Sequence, residues 1–195
     1  MKKTNTVFLL VCGALCALTL GCASSGAKGE GFVGSYFWGA FNDVESGGSS
    51  RISLIQDVEM IDGEAVMTYN VAGEITDKYQ YGYAGWYAVP DDETREVLRK
   101  AKSFSFKTIG DGQTYFVMVS TTDIEDSAFY RTTFTARKDQ VTEVHVNVNT
   151  MDQPSDWGIR KRFNQDLAGQ LQWQTTNNGK PGTFELKIWD VRLYE

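Results

Sequence analysis

Histidine and cysteine are almost absent from this chain. Its 195 residues hold one histidine, His145, and three cysteines, two of which, Cys12 and Cys16, lie in an apolar N-terminal stretch. That inventory excludes a Cys-His nucleophile pair, a zinc cluster and a His-rich metal site. A Ser-His-Asp triad would have to use His145, and no Gly-x-Ser-x-Gly elbow is present. Paired carboxylates for glycoside hydrolysis need no sequence motif and stay open on composition alone. Basic residues are also scarce: 19 Lys and Arg stand against 25 Asp and Glu, a net charge of -6. Nucleic acid, which is bound through clustered Lys and Arg, is therefore not an expected partner. The one dense basic run, Arg160-Lys161-Arg162, reads as a solvated face or as a contact for anionic headgroups or a charged glycan. Long hydrophobic runs are missing too, since Val7 to Leu20 falls short of the roughly 20 residues that a spanning helix needs.

That short run follows Lys2 and Lys3 and precedes Gly21-Cys22-Ala23-Ser24-Ser25. A positive start, an apolar segment and a cysteine after a small residue read as a lipoprotein signal peptide over 1–21, with Cys22 as the lipidated residue. The expected location is a bacterial membrane, periplasmic or at the cell surface. Cleavage would remove Cys12 and Cys16, leaving no disulfide framework, so the exported chain must rest on its core. Residues 22–35, rich in Gly, Ser and Ala, read as a flexible tether, and 36–195 as one domain.

Within that domain the dominant period is two. Thr142, Val144, Val146 and Val148 alternate with Glu143, His145, Asn147 and Asn149, as in a strand with one buried and one wet face. Ala65 to Val71 alternates less cleanly. Phe104 and Phe106 share a face ahead of the turn Gly110-Asp111-Gly112, and Tyr115 to Thr121, Phe129 to Thr135 and Thr183 to Leu193 read as further strands. Asp91 to Lys102 is the single helical segment, with acids early and bases late. Eight to ten short strands predict an all-β, antiparallel β-sandwich, a jelly roll with one short helix.

Three motifs carry a family resemblance. Phe41-Asn42-Asp43 with Gly47-Gly48-Ser49-Ser50 comes first, and Ser103 to Lys107 with Gly110-Asp111-Gly112-Gln113-Thr114-Tyr115 second. Leu171 to Thr175 with Phe184 to Val191 is the third. In this order they resemble the complex I intermediate-associated protein family, over roughly residues 36 to 194. The resemblance implies a galactose-binding-like jelly roll, similar to the carbohydrate-binding modules attached to β-glucanases, and binding rather than turnover. It also implies a structural calcium ion near an early acid and the last strand. Asp43 and Asp190 are the acids left at those places, although calcium takes six to eight oxygens.

Five Trp, nine Tyr and eleven Phe exceed what a core of this size is expected to need. Tyr79, Tyr81, Tyr83 and Tyr87 share one parity, so a strand over Asp77 to Val89 would line them on one face. That stripe is either a cross-strand band of the core, with Trp86 alongside, or the floor of a glycan groove. The groove reading adds Arg131, His145 and Asn147 as polar partners from neighbouring strands and Trp157 as a wall. Two functions follow: a non-catalytic envelope lipoprotein that binds a carbohydrate, or an assembly protein whose jelly roll recognises an envelope protein. The anchor has its own test. Palmitate labelling is expected in the full chain and lost in Cys22→Ser; equal labelling of both would refute it.

Overall fold

The computed structural model describes residues 29–176 and 180–195; the segment read as a signal peptide, Cys22 and residues 177–179 lie outside them. Two antiparallel sheets face each other. The first runs, in order of pairing, β3 (Arg51–Ile61), β4 (Glu64–Ile75), β11 (Gly182–Tyr194), β6 (Ser103–Gly110) and β9 (Thr142–Asn147), with the short β1 (Phe32–Val33) beside the end of β11. The second runs β2 (Tyr36–Asn42), β5 (Ala84–Pro90), β10 (Ala168–Thr175), β7 (Thr114–Thr121) and β8 (Tyr130–Thr135). The expected jelly roll is what the chain forms. Because Phe32 and Val33 pair with Leu193 and Arg192, the domain begins inside the stretch read as tether. The helix, α1 (Asp92–Leu98), is shorter than expected. Asp91 caps it by accepting from the Thr94 N–H at 2.8 Å, and it ends where Leu98 and Ala101 turn into the core.

Most of the aromatic surplus goes into the space between the sheets. Trp38 stacks on Tyr69 at 3.9 Å and on Trp173 at 5.3 Å, and Trp173 lies parallel to Trp86 at 6.4 Å. Tyr115, Phe106 and Phe134 continue the cluster edge-on or stacked. These rings interdigitate from both sheets, so the core takes up more of the aromatics than expected, Trp86, Phe104, Phe106, Tyr115, Phe134 and Trp173 among them, packed with aliphatic side chains.

The two glycine-bearing motifs are corners where the chain changes sheet. At Gly110-Asp111-Gly112, the strand β6 leaves the first sheet and β7 enters the second. The Asp111 carboxylate accepts from the Gln113 N–H at 2.8 Å, the Tyr115 hydroxyl at 2.8 Å and the Glu185 N–H at 3.0 Å. Burial and this carboxylate push the Tyr115 phenol well above its ordinary pKa, keeping it a donor. Gly112 sits at φ +91°, where a side chain would be strained. At the other motif, buried Asp43 accepts from the Ser50 N–H at 2.9 Å and the Ser50 hydroxyl at 2.6 Å, while its own N–H donates to the Tyr83 carbonyl at 3.2 Å.

These partners bear on the calcium expectation. Asp43 is engaged by Ser50 through both oxygens, and a Cβ on Gly48 would collide with its carboxylate. Asp190, at a bulge in β11, is bound by Lys107 at 3.0 Å and by Arg192 at 2.7 Å. Burial pushes its carboxyl up, but hydrogen bonds and charge from Lys107 and Arg192 outweigh this and hold it below the usual carboxylate range. A carboxylate clamped by two cations is a poor calcium ligand, and no group of three or more metal-binding side chains exists among the described residues.

One element extends past the sandwich. The strand β4 pairs with β11 only as far as Tyr69, while its pairing with β3 continues to the Asp62-Gly63 turn. The overhang is about 17 Å at the usual rise per residue. It carries Val58 and Met60, which continue the inward parity of Ile52 and Leu54 but have no opposing sheet and are more than half exposed.

The corner at Asp43 yields a stability expectation. Asp43→Ala leaves two buried Ser50 donors without an acceptor and should cost about 1–3 kcal/mol in urea denaturation. EDTA and added calcium should each leave the wild-type thermal midpoint unchanged; a clear loss with EDTA would reinstate the metal.

Candidate functional site

The outward face of the second sheet follows from what faces inward. In β5, Ala84, Trp86 and Ala88 are fully buried, so Gly85, Tyr87 and Val89 face out. In β10, Leu171 and Trp173 point in, leaving Gln170, Gln172 and Gln174 outside. In β7, the outward residues are Phe116 and Met118, and in β8 Arg131 and Thr133. Strand register then sets these side chains in rows across the sheet. One row reads Gly39, Tyr87, Gln172, Met118, Arg131; the next reads Phe41, Gly85, Gln174, Phe116, Thr133.

Glycines in these rows let rings lie flat on the sheet. A Cβ on Gly39 would collide with the Tyr87 ring, and one on Gly85 would collide with Phe41. Each ring therefore covers a cross-strand glycine. Phe41 and Tyr87 stack at 6.5 Å, and Phe41 meets Tyr83 at 6.2 Å. Beside this plate lie Gln174, half-buried, and Gln172, only 7% exposed at the floor between its neighbours, and neither amide makes a hydrogen bond among the described residues. Beyond them, the Arg131 guanidinium lies 4.3 Å above the Phe116 ring.

Two loops raise walls around this floor. The first, Asp77 to Gly82, crosses from β4 to β5. The expected strand over 77–89 therefore begins only at Ala84, because the Gly82 N–H closes a turn on the Tyr79 carbonyl at 2.9 Å. Tyr79 and Tyr81 stand on this turn in edge contact at 5.8 Å, with Tyr81 64% exposed. The second wall is the loop bearing Trp157, which is 46% exposed. Buried Gln153 holds it, donating to the Ala128 carbonyl at 2.8 Å and accepting from the Lys161 N–H at 2.7 Å. Asp126 accepts from the Ile159 N–H at 2.7 Å and the Ala128 N–H at 3.0 Å; these bonds, the Ile159 one foremost, hold its carboxyl below the ordinary range. The basic run belongs to the same loop. Arg160 donates to the carbonyls of Gln153 and Pro154 at 3.0 and 3.1 Å, and Lys161 pairs with Asp123 at 3.6 Å.

Between the walls lie two adjoining hollows of about 730 and 620 Å³ that share Tyr79, Tyr83, Arg131, Trp157 and Gln174. The structure thus brings together Tyr79, Tyr81, Tyr83, Tyr87, Arg131 and Trp157. Three expected members lie elsewhere. Trp86 has the opposite parity to Tyr87 and is fully buried in the interlayer stack. His145 and Asn147 project from β9 on the outer face of the first sheet, across the thickness of the sandwich. There His145 sits 3.3 Å from Glu143, and Asn147 accepts from the Asn149 N–H at 3.0 Å. Sequence reasoning missed the glutamines at 170, 172 and 174, whose shared parity was visible in Gln170-Leu171-Gln172-Trp173-Gln174.

Comparison with known proteins places this geometry in context. The family 11 carbohydrate-binding module of the cellulosomal cellulase Lic26A-Cel5E of Clostridium thermocellum superposes with a TM-score of 0.61 at 16% identity, covering 85% of this chain and 91% of the module. A family 30 carbohydrate-binding module superposes with a TM-score of 0.52 at 12% identity, covering 85% and 86%. At these identities the likeness is one of fold. No curated protein matches the sequence. The model of complex I intermediate-associated protein 30 matches residues 32–188, and the chain belongs to that family.

Proposed function

We propose that this chain is a non-catalytic, lipid-anchored protein of a bacterial envelope whose jelly roll binds a carbohydrate in the groove over the second sheet. The observation that carries the reading is the alternation of ring faces and unengaged amides along the rows through Tyr87, Gln172 and Gln174. Ring faces take the apolar C–H faces of sugars, and amides both donate to and accept from sugar hydroxyls. The carbohydrate-binding modules that share the fold support the same reading. Action without turnover is supported by the carboxylates in the lining. Asp126, held ionised by two backbone N–H groups, is a poor candidate for the proton donor that glycoside hydrolysis needs beside Asp156. In this account Cys22 carries the lipid, and the chain between it and β1 lets the groove search the space near the membrane.

A second reading rests on a different surface and on the family's assembly-protein name. The overhanging arm of β3 and β4 exposes Val58, Met60 and Met67 on one face, an apolar strip that suits a protein partner.

Both readings are separated by variants of the domain over residues 26–195 on a glycan array. Tyr81→Ala and Gln172→Ala should lower binding to the recognised glycan at least tenfold, and Tyr81→Ala should change stability by no more than about 0.5 kcal/mol. Trp86→Ala should instead cost about 3–5 kcal/mol in denaturation, as a buried aromatic. An array with no bound glycan would defeat the carbohydrate reading. Loss of envelope cross-links in Met60→Glu, with Gln172→Ala cross-linking normally, would favour the assembly reading.

A further inference from the structure

The cation in the groove has an unusual situation. Of the partly buried arginines, Arg95, Arg99 and Arg192 each have a carboxylate oxygen within 2.9 Å. Arg131 has none: among the described residues its guanidinium makes no side-chain hydrogen bond or ion pair, and its plane rests on Phe116. Its backbone, by contrast, is fixed by two hydrogen bonds with Asp152 at 2.9 and 3.1 Å. A guanidinium stacked on a ring keeps its N–H edges in the plane, where they form a two-pronged donor. Burial lowers the pKa of Arg131 from its usual value, and only the charge of Asp156, outside ion-pair distance, opposes this. A half-buried cation without an acceptor is costly, and an anion laid against its edge would relieve that cost.

We propose that the groove selects an acidic glycan, a chain bearing uronate carboxylates, with one carboxylate held two-pronged by Arg131 and neighbouring hydroxyls held by Gln172 and Gln174. This rests on the carbohydrate-binding reading and specifies its ligand class. The rows place Arg131 two strands from Gln172, so a chain crossing the sheet meets ring, amide and guanidinium in succession. Asp156 is the opposing element. It stands in the same lining and penalises any anion that does not make the full two-pronged contact.

The test uses oligogalacturonate, oligomannuronate and a glucuronate-containing oligosaccharide, each beside its carboxyl-reduced neutral counterpart, with a sulfated galactan oligosaccharide as a separate arm, in calorimetric titration. At least one uronate should bind about tenfold or more tightly than its reduced form, the scale of charge-assisted hydrogen bonds. Arg131→Gln should abolish that preference, Arg131→Lys should keep only part of it, and Asp156→Asn should tighten the acid several-fold. Circular dichroism checks that each variant is folded. Reduced chains that bind as well as the acids, or a preference that survives Arg131→Gln, would overturn the ligand class and leave the carbohydrate-binding reading intact. Preference for the sulfated chain over every uronate would overturn the carboxylate assignment. Absence of binding to every oligosaccharide, together with an array that binds no glycan, would remove the underlying reading as well.

Discussion

The stack of Tyr69, Trp38, Trp173 and Trp86 between the two sheets is the constraint from which the rest of the second sheet follows. A strand side chain has only two directions to point, so committing Trp86 to the interior commits Tyr87 to the surface. Trp173 does the same for Gln172 and Gln174, and Trp38 for Gly39. Large rings bury much apolar area and tolerate little displacement, which makes a slip in register costly. The groove floor is therefore the reverse side of the core.

The two corner motifs work alongside that stack without belonging to the groove floor. Asp111 joins the corner between sheets to β7 through Tyr115 and to β11 through Glu185. Asp43 ties the loop before β3 to the start of β5 at Tyr83. The second tie bears on function, since it sets where the Asp77 to Gly82 loop returns to the sheet and hence where Tyr79 and Tyr81 stand. The motifs that mark the family are thus devices of architecture. They identify the fold and reveal little about the ligand.

The walls of the groove come from segments distant in sequence. Tyr79 and Tyr81 stand on a turn that Gly82 closes, and Trp157 on a loop held by Gln153, Asp126 and Arg160. Both loops are fixed by backbone-directed hydrogen bonds, so the walls are substantially formed before a ligand arrives, which limits the ordering cost of binding. Arg131 sits at their junction, with its backbone locked to Asp152 at the start of the Trp157 loop and its side chain lying on the floor.

By itself, the sequence determined the sandwich, because a period of two survives in any window: Val144 and Val146 against Glu143 and His145, or Phe104 and Phe106 ahead of Gly110. It also determined the corners, because Gly112 and Asp111 have local reasons to turn. Six of the nine expected groove residues, those on the second sheet or on its loops, come together around the two hollows. What only the tertiary structure decided was which sheet each strand joined. His145 and Asn147 carry the right chemistry on the right parity, yet β9 pairs with β6 and faces away from the groove. The tyrosines share a parity that implies one strand, but Gly82 breaks it, so two stand on a wall and Tyr87 on the floor. Alternation tells a side chain that it faces outward; which outside it faces depends on pairing between strands far apart in the chain, and no local pattern records that.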